Sequence, residues 1–347
     1  MTPIASMAMT ALLSALLIAA AGTVLARSGD AIAARTNLGG VWIGSVFLAM
    51  ATSLPEISTN IAAVRINAPD LAVGDAFGSS MANMLILAII NLLPTGSGLF
   101  RKATLDHALY ASLAIILTCI AAVVILVHPT RAYLGLGPGS VLLVVVYLVG
   151  SRAVFRRSAL ARRAAMTEEM SGSTPAPVTE TDAASPDARP KHTLRRAVAM
   201  FAAGALVMLL AAPRFARSAE EIAVATGVGA TFVGTWLVGL ATSLPELVTS
   251  LAAVRMRAYD MAVGNLFGSN AFNMTIFVLL DAVHAGPPIL GVVSPMHVIS
   301  ALSAVVLMAI GTAALVYRTQ GRLALLEPSS MLIIIGYVVT LALLLKG

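Results

Sequence analysis

Apolar runs of about 20 residues recur along the whole chain, separated by short polar stretches. A run of that length crosses a hydrocarbon core of about 30 Å as an α-helix. The pattern predicts ten spanning helices, at about 5–26, 39–65, 70–93, 104–127, 133–152, 194–212, 229–255, 260–283, 293–317 and 327–346. Composition agrees. The 347 residues are 59% hydrophobic and 11% charged, more apolar surface than a soluble domain of this size can hide. The expected fold class is therefore an all-α polytopic membrane protein. The first basic residue is Arg27. A cleaved signal peptide carries positive charge before its apolar stretch, so residues 5–26 read as a span that stays.

Residues 153–193 break the pattern. They include "RRSALARRAAMTEEMSGSTPAPVTETDAASPDARPKH", rich in Ser, Thr, Pro, Ala and charge. Such a segment buries too little apolar surface to fold alone and reads as a flexible tether. It joins a first five-helix unit, 1–152, to a second, 194–347. Of the 22 Lys and Arg residues, 17 fall on one set of alternate loops, the set containing this tether. The positive-inside rule places that set in the cytoplasm and both termini outside the cell. The net charge of +6 thus sets topology and does not point to nucleic acid. Cys119 stands alone, so no internal disulfide forms.

The two units repeat one another 190 residues apart and without gaps. Arg27-Ser28 matches Arg217-Ser218, Glu56 matches Glu246 and Asn83 matches Asn273. Between Val41 and Asn83 roughly half the positions are identical to their partners. Five spans separate the copies, so the second enters the membrane from the opposite face. Inverted repeats of this kind build secondary transporters, with the substrate near the midplane where the repeats meet. A duplication kept only for packing would have no reason to retain a glutamate at lipid depth in both copies.

That glutamate ends the string ATSLPE, at 51–56 and again at 241–246. A carboxylate at bilayer depth costs about 2.5–3.5 kcal/mol even on insertion scales. Neither helix core offers a Lys or Arg to pair with it, so the counter-charge comes from outside the chain, as a proton or a metal ion. Pro55 and Pro245 remove an N–H and free the carbonyls of Ala51 and Ala241. Irregular backbone at this depth survives where it lines a cavity or is buried in protein. Thr52, Ser53 and Glu56 span barely one turn, as do Thr242, Ser243 and Glu246. Two such clusters facing each other offer carboxylates and neutral oxygens, a donor set for a hard cation such as Ca²⁺. No paired His or Cys set suggests a softer metal.

The next helix adds a polar face. Asp75, Ser79 and Asn83 recur at i, i+4 and i+8, mirrored by Asn265, Ser269 and Asn273. Gly74, Gly78, Gly264 and Gly268 permit close helix approach.

On these residues the chain resembles the sodium/calcium exchanger family of cation antiporters, whose paired repeats carry a G-[TS]-S-x-P-E-type string followed by a G-N-x-x-G-S-N-x-x-[ND]-type string. Here they stand as "ATSLPE" with "GDAFGSSMAN" and "ATSLPE" with "GNLFGSNAFN". The resemblance implies two inverted five-helix repeats in a bacterial inner membrane. The second, third, seventh and eighth helices form the core, over which the first and sixth slide. It implies Glu56 and Glu246 as central Ca²⁺ ligands, with oxygens from Thr52, Ser53, Thr242 and Ser243. Ser79, Asn83, Ser269 and Asn273 would complete Na⁺ sites, and the carbonyls of Ala49 and Gly239 could contribute. The implied partners are inorganic cations and the lipid bilayer, with no nucleic acid. No cofactor is implied beyond the transported Ca²⁺ and Na⁺.

Three positions depart from the family pattern. Ala51 and Ala241 stand where glycine is common, Ser80 stands opposite Asn270, and Asp75 stands where the second copy has Asn265. Asp75 reads either as a vestibule charge near the outer end of its helix, the favoured alternative, or as a third titratable acid. A proton-coupled Ca²⁺ or Mn²⁺ antiporter on the same fold is the rival function. Neutral Ser, Thr and Asn donors favour Na⁺. Tyr259-Asp260 and Gly74-Asp75 superficially suggest an intramembrane aspartyl protease, but the order is reversed and Ala72 stands where that family has glycine. Asp260 and its counterpart Asp70 read instead as helix caps. Neither HExxH nor a nucleophile elbow is present, so no enzyme is expected. His107, His128, His192, His284 and His297 read as interfacial residues.

Overall fold

The computed structural model describes residues 3–36, 38–170, 193–225, 240–317 and 327–344. Eight helices among them are long and apolar enough to cross a membrane. They are α1 (Pro3–Thr36), α2 (Gly40–Arg65), α3 (Pro69–Leu92), α4 (Asp106–Val127), α5 (Pro138–Met170), α6 (Leu194–Ala225), α8 (Tyr259–Val283) and α9 (His297–Tyr317). Two shorter helices, α7 (Leu244–Arg255) and α10 (Pro328–Leu344), and single turns at Leu99–Lys102 and Ile289–Gly291 complete the described set. The expected start of the seventh helix, and Gly239 with it, lies outside the described residues. Among the described residues the only strand-like pairing is the isolated Tyr133–Leu136 bridge.

Burial sorts the helices. α3 and α8 are mostly enclosed, whereas α1, α5 and α6 turn leucines and valines such as Leu12, Leu16, Val145 and Leu206 outward. An apolar exterior around a more polar interior suits a lipid surround. α1 lies along α6, with Gly204 set against Leu25 and the carbonyl of Ala21. The fourth helix of each half packs on the third helix of the other: α4 on α8, and α9 on α3.

A pair of matching polar clasps pins this crossed packing. Asp260, at the start of α8, accepts the Thr104 N–H at 2.7 Å and lies 3.0 Å from His107 Nε2. Asp70, at the start of α3, accepts the Ser294 N–H at 2.7 Å and lies 3.0 Å from His297 Nε2. Every member of one clasp has its counterpart 190 residues away in the other. Asp70 and Asp260 therefore do not cap their helices, whose N-caps are Ala68 and Ala258. His107 is fully buried and does not sit at an interface. A third correspondence repeats the design. Asn91 accepts from the Leu99 N–H and donates to Ser330, while Asp281 accepts from the Ile289 and Gly137 N–H groups.

The fifth helix differs from expectation. It runs to Met170, well past the expected end at 152. Residues 153–170 are rich in Ala and Arg, with Met and Glu besides, and lack Gly and Pro, so their helix propensity outweighs the charge that marked them as tether. Phe155 stacks on Trp42 at 5.2 Å between ring centroids, and Ser158 Oγ donates to Asp106 at 2.6 Å. The remaining tether residues, 171–192, lie outside the described residues.

The two clasps differ in exposure, which makes their energetics testable. In Asp260→Ala a buried imidazole and a backbone N–H lose their acceptor, at an expected cost of about 2–3 kcal/mol. The Asp70 side chain is 56% exposed, and Asp70→Ala should cost under about 1 kcal/mol. Thermal unfolding of the detergent-solubilised variants checks the order, and equal losses would contradict it.

Candidate cation-binding site

Both ATSLPE strings fold alike. The turn Ala49–Thr52 ends at Ser53, whose φ of −86° and ψ of 1° leave the helical basin, and Leu54 begins a new helix. Ser243 does the same at φ −83° and ψ 2° before Leu244. Pro55 and Pro245 sit in the first turns of the new helices, where a missing N–H costs least. This break places Glu56 and Glu246 in the first turn of a helix, fully buried. Ahead of the first break, Ile43–Leu48 forms a π-helical turn, a feature that periodicity does not show and that often marks functional sites.

Glycines on α8 let that π turn come close. A Cβ on Gly268 would run into the Ser45 carbonyl oxygen, and one on Gly264 would stand 3.0 Å from the Ser45 N. Gly44 returns the contact against the Met261 backbone. The backbones of α2 and α8 therefore touch directly, and the polar faces of both helices meet across one seam.

Across that seam Thr52 Oγ1 lies 3.2 Å from Asn265 Oδ1 and 3.4 Å from Ser269 Oγ, and Ser269 Oγ lies 3.4 Å from Glu246 Oε1. The other half answers with Thr242 Oγ1 donating to Asp75 Oδ1 at 3.3 Å. Asn265 also donates to Ser250 at 3.1 Å, and in the other half the Asn60 side chain lies beside Asp75. Asp75 is only 7% exposed. It thus lies against the second ATSLPE string and not in an outer vestibule, because α3 packs on α9 and its inward face is closed from Ala72 and Val73 onward. The charges of Glu56, Glu246 and Asp75 are close enough to interact. Among the described residues, no three His, Cys, Asp or Glu side chains cluster as one ligand group.

The structure therefore gathers Thr52, Asn265, Ser269 and Glu246 into one hydrogen-bonded cluster and pairs Thr242 with Asp75, whose charge lies close enough to interact with both glutamates. Ser53, Ser79 and Ser243 are buried, and their hydroxyls have no partner. The Ala49 carbonyl already accepts from the Ser53 N–H at 3.0 Å and from Thr52 at 3.2 Å. Ser45, Asn60, Ser250 and Asn270 were not singled out as site residues from sequence. Their signal was the repeat itself, which pairs Asn60 with Ser250 and Ser80 with Asn270.

A helical membrane bundle that buries carboxylates, hydroxyls and amides where two like halves meet defines an ion-carrying class of protein. A family model described as sodium/calcium exchanger protein matches residues 6–153 and 196–346. The chain belongs to that family of membrane cation antiporters. It is 25% identical over 242 residues to the uncharacterized membrane protein MJ0091 of Methanocaldococcus jannaschii, covering 70% of each chain. It is 26% identical over 245 residues to the inner membrane protein YrbG of Escherichia coli, covering 70% of this chain and 68% of that one. A solved structure of the sodium-calcium exchanger NCX_Mj, soaked with Na⁺ and Sr²⁺, shares the fold with a TM-score of 0.67 over 98% of both chains at 19% identity.

The seam itself is testable. In Gly268→Ala the new methyl meets a backbone oxygen that has no rotamer to escape into, at an expected cost of about 3 kcal/mol or more. Gly311→Ala meets the Phe267 ring at 3.3 Å, where a side chain can yield, and should cost under about 1.5 kcal/mol. Size-exclusion chromatography and thermal unfolding should show the first variant aggregated or strongly destabilised and the second near wild type.

Proposed function

We propose that the chain exchanges Na⁺ for Ca²⁺ by alternating access, with the divalent cation held between Glu56 and Glu246. The reading takes the bundle as ten spans in two inverted five-helix repeats, with 171–192 and the tip of α5 in the cytoplasm and both termini outside. Both clasps, and the Asn91–Leu99 and Asp281–Ile289 contacts, are built from residue pairs 190 apart, which supports two repeats folded alike.

The observation that carries the proposal is the set of buried oxygens without a protein partner: both of Glu56, Glu246 Oε2, Ser53 Oγ, Ser243 Oγ, Ser79 Oγ, Asn83 Oδ1 and Asn273 Oδ1. Buried carboxylates without partners are among the costliest features a fold can hold. Among the described residues, no Lys or Arg pairs with them. Ca²⁺ takes about 6–8 oxygens and is neutralised by two carboxylates, which matches this set in charge and in donor type. Thr52 and Thr242 would act through their hydroxyls while tying the two halves together. Ser79, Asn83, Ser269 and Asn273 would form the Na⁺ sites on either side. The Ala49 carbonyl, with two donors already, is the weakest member of the ligand set, and Gly239 would be its counterpart.

One observation favours a second reading, a proton-coupled Ca²⁺ or Mn²⁺ antiporter. Asp75 brings a third carboxyl to the centre where the other half has the neutral Asn265.

Uptake of ⁴⁵Ca²⁺ into proteoliposomes separates the two. An outward Na⁺ gradient should drive uptake, and an outward H⁺ gradient should not. Glu56→Gln should lower uptake by at least about 100-fold, since losing even an indirect metal contact costs 10–100-fold. Asp75→Asn should keep the Na⁺ dependence and raise the Ca²⁺ KM severalfold. Uptake driven by H⁺ alone, and lost in Asp75→Asn, would establish the second reading instead.

A further inference from the structure

The two halves differ at one buried amide. Asn270, fully enclosed on α8, reaches across to α3 and donates through Nδ2 to the Ser80 carbonyl oxygen at 3.2 Å. Its Oδ1 accepts from Asn83 Nδ2 at 2.9 Å. A carbonyl oxygen can only accept, so the Ser80 carbonyl fixes which end of the Asn270 amide is nitrogen. The Asn270 oxygen then faces Asn83 and fixes the Asn83 amide in turn. Asn83 Oδ1 is left as a buried acceptor without a protein partner.

The opposite side lacks this relay. Ser80 occupies the position equivalent to Asn270, and its hydroxyl bonds back to the Ala76 carbonyl at 3.0 Å on its own helix. It does not reach across to α8. Asn273, the counterpart of Asn83, is 1% exposed, and neither end of its amide has a partner.

We infer that Asn270 is a positioning residue that aims the Asn83 oxygen at a monovalent cation, and that the absence of a second such residue leaves the equivalent Asn273 amide unaimed. This rests on the exchanger reading above. Asn83 presents an oxygen in advance. Asn273 must select one end of its amide each time a cation enters. An acceptor held in place beforehand binds more tightly than one that has to be turned.

Uptake of ⁴⁵Ca²⁺ against graded internal Na⁺, measured in wild type and Asn270→Ser proteoliposomes, tests the relay. Losing the hydrogen bond that orients Asn83 should raise the Na⁺ concentration at half-maximal rate roughly fivefold. The Ca²⁺ KM in Na⁺-free Ca²⁺/Ca²⁺ exchange should move much less, a split that loss of folded protein would not produce. In an Asn83→Asp background the effect of Asn270→Ser should vanish, because a carboxylate offers an oxygen whichever way it turns. If Asn270→Ser does not fold, Ser80→Asn supplies the reverse test. It gives Asn273 the missing partner and should lower the half-maximal Na⁺ concentration.

An unshifted Na⁺ dependence in Asn270→Ser overturns the inference, as does an equal shift in the Asn83→Asp background or an unshifted Ser80→Asn where that variant is used. Wild-type protein without Na⁺-driven uptake removes the exchanger reading and this one together. Na⁺-driven uptake in wild type with no shift in the variants removes this one alone.

Discussion

Two glutamates buried in a hydrocarbon-spanning bundle, with no cationic side chain paired to them among the described residues, constrain everything around them. In an apolar medium of low dielectric an unpaired carboxylate is costly, and two near each other add mutual repulsion. The fold answers with oxygen and amide dipoles in place of a lysine or arginine. Ser269 bonds to Glu246, Thr52 links Ser269 to Asn265, and Thr242 engages Asp75. A fixed positive side chain would occupy the carboxylates permanently. Neutral donors leave their charge to be balanced by something that comes and goes.

The same constraint accounts for the irregular backbone. The helix breaks at Ser53 after a π turn, Thr52 meets Asn265 and Ser269 on α8, and glycines at 264 and 268 bring the partner backbone near. The interior is thus polar and glycine-lined at its middle and leucine-rich outside, the reverse of a soluble core.

Much of this was legible in the sequence. Apolar runs located the helices, and the 190-residue repeat located Glu56, Glu246 and the polar face of the following helix, because a costly residue kept twice carries information that one copy does not. What escaped was decided by tertiary contact. The π turn keeps helical composition and changes only hydrogen-bond register. His107 looks like a residue at a helix end, yet the crossed packing of α4 on α8 encloses it with Asp260. Asp75 lies near the start of its helix, where depth counted along the chain suggested exposure, but α3 packs on α9 and its inward face is closed there. The α5 extension was masked by its charges, since arginine marks solvent in a hydropathy profile and is a good helix former as well.

The crossed packing also bears on how the chain is made. α3 is complete once residue 92 has been synthesised, but Ser294 and His297, which engage Asp70 at its start, and Asn270, which orients its Asn83, lie some two hundred residues further on. The first half therefore waits in the bilayer with polar groups unmatched until the second arrives. The halves are not two domains that fold and then dock. Each is the template on which the other closes, and a ribosome stalled in the linker would leave a product with half a core and no partner to cover it.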